Sequence, residues 1–247
     1  MTQSSDPRTT GFDIMVRILA ILDRILEEIR RENPYGLILK GGTALALHHL
    51  NEHRESEDLD FDVGSEFAGS VKAIASYMTD ILDGLVEKGF LKNYTVRKQS
   101  MTTTNRYHMN ITMVTYKRFF TKIDLDFVEL PDNMEYEGKL GFYSMERMFV
   151  DKLLTFKSRK ELKDLYDISH LIQNLKANSF IKPEKLALLI ENNLIALDDD
   201  TLTISFKKTL GKLDLRFKNL REANVESFTR KAQRDLRIFR NELLKGK

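Results

Sequence analysis

Apolar positions along the chain follow two different periods, and the change from one to the other predicts its architecture. In residues 11–31, and again in residues 67–88, apolar side chains are spaced three and four apart, which is the period of an amphipathic helix. Three later segments, 92–99, 104–115 and 118–129, are rich in Thr, Tyr, Val, Ile and Phe and are bounded by turn residues. That composition predicts β-strands.

Shorter elements lie between and after these segments. Residues 37–40 and 58–63 predict short strands, and residues 44–50 predict a short helix between them. Residues 131–142 predict a loop, because they begin with Pro131 and contain two glycines.

Beyond residue 144 the apolar pattern is helical, with a polar break at residues 198–200. The predicted helices are 144–157, 161–175, 183–192 and 223–243. The chain is therefore predicted to have an α+β fold with two domains. Residues 1–140 would form a mixed sheet with flanking helices, and residues 141–247 a helical domain.

The clearest candidate chemistry follows the first predicted strand. Gly41, Gly42 and Thr43 form a turn that opens the short helix. Its glycines let the backbone come close to a phosphate, and the helix start near Thr43 offers free N–H groups to it, so all three are candidates for nucleotide binding. Asp58 and Asp60 follow on the next strand, where a spacing of two puts both carboxylates on one face. Paired carboxylates repel each other, and oxygen ligands of this kind suit Mg²⁺. The alternative is an ordinary turn beside the solvent-exposed face of an edge strand.

These blocks resemble the AbiEii/AbiGii toxin family, part of the nucleotidyltransferase superfamily that includes DNA polymerase beta. The family carries Gly-Gly-Thr and then Arg-x-Ser-Glu-Asp-Leu-Asp-Phe, and this chain has Gly41-Gly42-Thr43 and then Arg54-Glu55-Ser56-Glu57-Asp58-Leu59-Asp60-Phe61. The resemblance implies a polymerase beta-like domain in residues 1–140 that uses Mg²⁺.

The resemblance also implies an activity and partners. The enzyme would add nucleotides from a nucleoside triphosphate to an RNA acceptor, with the 3′ end of a tRNA as the expected acceptor. It would be the toxin of a toxin–antitoxin pair, with an antitoxin protein as a partner. The rival hypothesis is a non-catalytic nucleotide-binding or RNA-binding module that has kept the fold.

A third carboxylate commonly completes the metal site in the polymerase beta-like superfamily. Asp124 and Asp126 alternate on a later predicted strand, so either is a candidate for this ligand. We select Asp126 as the third metal ligand. The alternative is that both lie on an exposed strand face.

A second block of charged residues lies in the helical half. Lys152, Thr155 and Arg159 share one face of a predicted helix, and Asp164 and Asp167 follow on the next one. The family resemblance implies that Lys152 contacts the triphosphate, that Arg159 helps to bind the nucleotide, and that Asp167 is an essential acid. The helical domain would thus contribute Lys152 and Asp167 to the active-site cleft. A carboxylate near Lys152 could orient it or accept a proton, and the alternative is a surface charge stripe.

Composition limits the class of protein. The chain has 247 residues, 42% of them hydrophobic and 31% charged, and no cysteine. No apolar run reaches the roughly 18 residues of a membrane span, and the N-terminus lacks the basic and apolar parts of a signal peptide. These features predict a cytoplasmic protein without a membrane partner.

The net charge of +2 conceals an asymmetry. Residues 201–247 hold 13 Lys and Arg against 5 Asp and Glu, a net charge of +8. A basic region of this kind could bind RNA phosphates, or it could be a solvated helical surface. The charge count does not choose between them.

Overall fold

The chain forms two compact units in a computed structural model. The structure describes residues 7–103, 105–115, 118–198, 200–213, 217 and 220–245. The first unit comprises Met1–His48 and Glu55–Tyr143, and the second comprises His49–Arg54 and Ser144–Lys247.

Among the described residues, the strands belong to the first unit, and the second unit consists mainly of helices. The strands are β1 (Ile38–Lys40), β2 (Leu59–Gly64), β3 (Asn93–Thr103), β4 (Arg106–Val114), β5 (Arg118–Val128), β6 (Glu135–Glu137) and β7 (Leu140–Phe142). The α-helices are α1 (Pro7–Arg31), α2 (Gly41–Ala44), α3 (Val71–Glu87), α4 (Met145–Arg159), α5 (Leu162–Leu171), α6 (Pro183–Leu197), α7 (Asp200–Leu213) and α8 (Val225–Lys245). A π-helical turn, Leu45–His49, continues α2, and a 3₁₀ helix, Ser65–Ser70, precedes α3. In the described ranges, no helix combines the length and the apolar character needed to cross a membrane.

The strands of the first unit form one mixed sheet in the order β3-β4-β5-β2-β1-β7-β6. β2 runs parallel to β5 and antiparallel to β1, and β7 runs parallel to β1. The prediction of an α+β fold with a mixed sheet is therefore confirmed.

The centre of this sheet has one apolar and one acidic face. β2 and β5 are in a register that pairs Asp60 with Asp124 and Asp62 with Asp126. Because side chains alternate along each strand, these four acids share a face. The intervening side chains are buried in the core: Leu59, Phe61, Val63, Ile123 and Leu125.

The second unit is a helical bundle that includes one short segment from the first half of the chain. α6 packs on α4 and α8, α4 also contacts α5, and α8 contacts α5 and α7. The largest buried side chains include Phe149, Phe156 and Phe206. Residues His49–Arg54 belong to this unit although their sequence neighbours belong to the first, and Arg54 forms a β-bridge with Phe217. The predicted division at residue 140 did not anticipate that segment.

Two elements differ from the sequence prediction. Residues 131–142 contain β6 and β7 in place of a loop, because β7 pairs with β1 and β6 pairs with β7. Residues 200–213 form α7, whereas the sequence predicted no helix there. The start of this segment mixes Thr, Leu, Ile, Ser and Phe, which made its helical pattern hard to recognise. In the structure Leu202, Phe206 and Leu210 are buried at intervals of four residues and form the apolar face of the helix. The predicted start of a strand at residue 104 lies outside the described residues.

Candidate active site

Three carboxylates lie near one another at the acidic face of the sheet. Asp60 on β2 lies beside Asp124 on β5, and Asp58 precedes Asp60 by two residues. Burial raises the pKa of Asp60, and the negative charges of Asp124 and Asp58 raise it further. Within the described ranges neither Asp58 nor Asp60 forms an ion pair through its side chain. The cluster therefore carries more negative charge than its protein neighbours neutralise.

The glycine turn touches this cluster directly. Gly41 has a φ of +73°, which favours glycine, and a Cβ atom at this position would collide with Oδ2 of Asp60. A side chain at residue 41 would therefore displace the carboxylate. Glycine at residue 41 thus lets the backbone lie against the Asp60 carboxylate.

Thr43, by contrast, faces inward. It is fully buried, and its hydroxyl contacts Oγ of Ser56 at 2.9 Å and donates to the carbonyl oxygen of Asp58. The hydroxyl of Thr43 therefore fastens the glycine turn to the loop that carries Asp58, and the N–H groups of the helix start are what remains proposed for phosphate. This makes Thr43 a residue that positions the acidic cluster.

The register corrects the choice of the third carboxylate. Asp126 lies opposite Asp62, and it accepts hydrogen bonds from Arg106 Nη2 and Lys40 Nζ, both at 2.7 Å. Burial alone would raise the pKa of Asp126, but these two cations outweigh it and lower the pKa. Asp124, and not the predicted Asp126, is the acid paired with Asp60 across the two strands.

Asp124 has neighbours of its own. Lys122 Nζ lies 2.7 Å from Asp124 Oδ2, and His108 Nδ1 hydrogen-bonds to Oδ1. Both partners share the acidic face, since His108 pairs with Asp124 across β4 and β5. One cation and one imidazole thus lie at the edge of the three-carboxylate cluster.

Asp167 occupies the centre of a second charged cluster, in the helical unit. It has no exposed surface. Arg54 donates to both of its oxygens, from Nε at 2.5 Å and from Nη2 at 2.9 Å. His53 Nε2 lies 2.8 Å from Oδ1, and Lys152 Nζ lies 2.7 Å from Oδ2. Every described partner of this carboxylate is a hydrogen-bond donor.

Lys152 connects Asp167 to another buried acid. Its ammonium lies 3.4 Å from Oδ1 of Asp164, which is also fully buried. Arg159 binds Asp164 through Nε at 2.7 Å and Nη2 at 2.8 Å. Lys152 and Arg159, both predicted to bind nucleotide, are therefore held by carboxylates within the helical unit, and Lys152 itself is buried.

The charges of this cluster determine the role of Asp167. Burial alone would raise its pKa, but Arg54 and Lys152 hold the pKa well below its ordinary value of 3.8. Burial lowers the pKa of the His53 imidazole, which is therefore neutral near pH 7. An acid this firmly ionised is a poor proton acceptor. Of the two roles considered for a carboxylate beside Lys152, the geometry favours orientation.

Sequence reasoning missed the partners that complete both clusters. Arg54 stands in the quoted motif, but nothing in its local sequence shows that it binds Asp167, which is 113 residues away. Asp164 carried a signal, since it lies one helical turn before Asp167 on α5. Lys40 and Arg106 follow only from the register of the sheet.

The match to a protein family covers both clusters. The family described as "Nucleotidyl transferase AbiEii toxin, Type IV TA system" matches residues 24–245. The protein belongs to the AbiEii toxin family. The resemblance seen in the glycine turn and the Asp58-Asp60 block is thus confirmed, and the protein is a nucleotidyltransferase. Membership favours the enzyme over the non-catalytic module.

Solved structures support the same fold at low sequence identity. The chain is similar to JHP933 from Helicobacter pylori, with a TM-score of 0.63 and 19% identity, over 98% of this chain and 96% of that one. It is also similar to MenT4, a nucleotidyltransferase toxin from Mycobacterium tuberculosis H37Rv, with a TM-score of 0.53 and 15% identity, over 92% and 83% of the two chains. No curated protein sequence matches this chain.

Proposed function

We propose that this toxin transfers a nucleotide from a nucleoside triphosphate to the 3′ hydroxyl of an RNA, with the 3′ end of a tRNA as the expected acceptor. The observation that supports this most directly is the cluster of Asp58, Asp60 and Asp124 against the Gly41 turn, in a chain of the AbiEii family. The acceptor oxygen bonds to the α-phosphorus, the bond to the β-phosphate oxygen breaks, and pyrophosphate leaves as the hydroxyl proton is released.

The three carboxylates fit a magnesium ion. They supply only oxygen ligands, which Mg²⁺ prefers, and burial together with the neighbouring charges of Asp124 and Asp58 raises the pKa of Asp60, so a bound cation would relieve that strain on the ionised form. Asp58, Asp60 and Asp124 would hold the ion. When bound, Mg²⁺ would neutralise phosphate charge and favour ionisation of the acceptor hydroxyl.

The other residues orient and bind the nucleotide. Gly41 and Gly42 allow a phosphate to approach the backbone closely. Lys152 contributes positive charge for the triphosphate, and Asp167 and Asp164 fix its ammonium. Arg159, whose side chain is 42% exposed, is the second cation proposed for nucleotide binding.

The family name also suggests a partner. A type IV toxin–antitoxin system pairs the toxin with an antitoxin, and we propose that this enzyme has a cognate antitoxin protein. RNA is proposed as the target whose modification makes the enzyme toxic.

Transfer of label from nucleotide to RNA tests this proposal. Purified protein would be incubated with total RNA, Mg²⁺ and each α-phosphate-labelled nucleoside triphosphate in turn, and the RNA would be resolved on a denaturing gel. We expect one RNA class to gain label, and we expect the label to disappear with Asp60→Asn or Asp124→Asn. Asp126→Asn is the matched control, since Asp126 lies on the same strand two residues from Asp124 and should retain transfer. The absence of label with every nucleotide would refute the proposed function.

A further inference from the structure

The basic C-terminal region is the first candidate for binding an RNA acceptor, but five of its cations, all on α8, form ion pairs with acidic residues. On α8, Arg230 pairs with Glu226 at 2.5 Å, and Lys231 pairs with Asp235 at 2.6 Å. The same helix carries three more ion-paired arginines: Arg234 with Asp235, Arg237 with Asp198, and Arg240 with Glu191. Cations that already have carboxylate neighbours offer less net positive potential to a phosphate backbone.

A second basic region lies in the sheet and has a different composition. Residues 92–123, which span β3, β4 and the first half of β5, contain seven Lys and Arg and no Asp or Glu. Nearly the same net charge as in the C-terminal region is thus reached in fewer residues, and of these cations Lys122 and Arg106 pair with Asp124 and Asp126, which follow directly in the sequence. Among the described residues, neither Arg97 on β3 nor Arg118 on β5 forms an ion pair.

Arg118 and Lys122 of this positive region share a face with the three-carboxylate cluster. Along β5, Arg118, Phe120, Lys122 and Asp124 occupy alternate positions, so their side chains lie on one side of the sheet. Exposure increases away from the cluster: Asp124 is buried, Lys122 is half-buried, and Phe120 is 57% exposed. At a rise of about 3.3 Å per residue, Lys122 and Phe120 lie roughly 7 and 13 Å from Asp124 along the strand.

Phe120 is the aromatic residue of this face. The guanidinium carbon of Arg97 lies 5.0 Å from the centroid of its ring. Exposed aromatic rings and guanidinium planes together are what proteins use to stack unpaired bases, and neighbouring cations bind the phosphates. A duplex cannot offer its bases in this way, so the combination fits a single strand.

We propose that the sheet face formed by Arg97, Arg118, Phe120 and Lys122 binds the single-stranded 3′ end of the RNA acceptor. A base near that end stacks at Phe120 and Arg97, a phosphate contacts Arg118, and the terminal hydroxyl reaches the cluster at Asp124, beside Lys122. This inference rests on the proposed function, because it assumes that the acceptor is RNA. It assigns acceptor binding to the sheet face and not to α8.

Two matched sets of substitutions test the inference. The first set is Phe120→Ala and the double variant Arg97→Gln/Arg118→Gln, and the control is the α8 triple variant Arg230→Gln/Arg234→Gln/Arg237→Gln. Fluorescence anisotropy would measure the Kd of a labelled single-stranded RNA with a free 3′ hydroxyl, and of a blunt duplex, over a range of salt. Circular dichroism would confirm that each variant is folded, as expected for changes at exposed positions.

We expect Phe120→Ala to weaken single-strand binding by about 5- to 150-fold, the range for one stacked base, and Phe120→Trp to restore it. The Arg97/Arg118 double variant should lower the slope of log Kd against log salt by about 0.7 for each phosphate that the protein no longer binds. Duplex binding should be weaker throughout, and the α8 triple variant should resemble wild type.

The opposite pattern would overturn the inference. If the α8 triple variant loses RNA binding while the Phe120 and Arg97/Arg118 variants keep it, the acceptor binds at α8. If the sheet-face variants transfer label to RNA normally but no longer bind the antitoxin, the face is a protein-binding surface. In both cases the wild-type enzyme still transfers label to RNA, so the proposed function survives and only the assignment of the acceptor site is overturned. If the wild-type enzyme labels no RNA, the proposed function itself is refuted.

Discussion

Acidic residues in the two units experience opposite electrostatic environments. In the sheet unit, Asp60 lies beside Asp58 and Asp124, and its pKa is raised. In the helical unit, Asp167 binds Arg54 and Lys152, and its pKa is lowered well below 3.8. Both carboxylates are largely shielded from water, so burial alone does not separate them. The difference lies in the sign of the neighbouring charges.

This contrast separates a binding site from a supporting structure. A cluster left with excess negative charge binds a cation favourably, since the ion removes repulsion already present in the folded protein. A carboxylate surrounded by donors is already satisfied, and it serves to hold those donors in place. The first cluster is therefore suited to a metal, and the second to fixing Lys152.

The largest expected effect comes from removing a carboxylate of the sheet cluster. Asp58→Asn or Asp60→Asn should lower transfer by at least about two orders of magnitude, because the metal that stabilises phosphate charge would lose a ligand. Initial rates of label incorporation measure this, with the Asp126→Asn variant as the control. Normal rates in both variants would show that the cluster is not the metal site.

Substitution of Lys152 in the helical cluster should have the next largest effect on transfer. Lys152→Ala should weaken binding of the nucleoside triphosphate and slow transfer by roughly 100-fold, because the alanine cannot form a charge-assisted hydrogen bond to phosphate. Lys152→Arg should restore little, since a planar guanidinium cannot replace an ammonium that reaches two buried carboxylates. Calorimetric titration with nucleotide separates affinity from rate, and wild-type affinity in Lys152→Ala would contradict the assignment.

Removing the partner of Asp167 should mainly affect stability. Arg54→Ala leaves a buried carboxylate without its two-point donor, and loss of one partner of a buried ion pair costs about 3–5 kcal/mol. The free energy of unfolding in urea measures this. Arg159→Ala is the comparison, and it should cost less because that side chain is 42% exposed. Equal costs for the two arginines would show that burial does not govern the strength of these pairs.

The smallest effects, in the dependence of stability on pH, should have opposite signs in the two units. Folding raises the pKa of Asp60, so protonation of this carboxyl stabilises the folded protein. That contribution to the free energy of unfolding is fully present below pH 3.8 and is lost as the pH rises through the pKa of the folded state. Asp60→Asn should therefore be more stable than wild type at pH 7 without metal. Its Tm should rise by about 2–4 °C for each kcal/mol gained in the free energy of unfolding.

The pH dependence expected for Asp167 has the opposite sign. Folding lowers the pKa of Asp167, so ionisation of this carboxyl stabilises the folded protein. That contribution to the free energy of unfolding is present above pH 3.8 and is lost as the pH falls through the pKa of the folded state. Asp167→Asn should be less stable than wild type at pH 7, and both differences should shrink in acid. Thermal unfolding of the three proteins between about pH 3 and pH 7 tests this, and differences of the same sign would contradict the contrast.

Local pattern was sufficient for the elements whose residues are close in sequence. The helical period of residues 11–31 corresponds to α1, and the β-rich segments correspond to β3, β4 and β5. The Gly41 turn and the Asp58-Asp60 pair were recognisable because each motif lies within a few residues. The conformations they require depend on glycine at residue 41 and, for Asp60, on alternation along β2, which begins one residue after Asp58.

Tertiary structure decided which distant residues meet. Alternation places Asp124 and Asp126 on the same face of β5, so only the register of β2 against β5 sets Asp124 beside Asp60. The hydrogen bonds between Arg54 and Asp167, the pairing of β7 with β1, and the carboxylates that compensate α8 also join distant segments. A sequence specifies the period and chemistry of each segment through local sterics and hydrogen bonding. Register, burial and neighbouring charge arise only when segments pack together, and in this protein they determine whether a carboxylate lies among other acids or among hydrogen-bond donors.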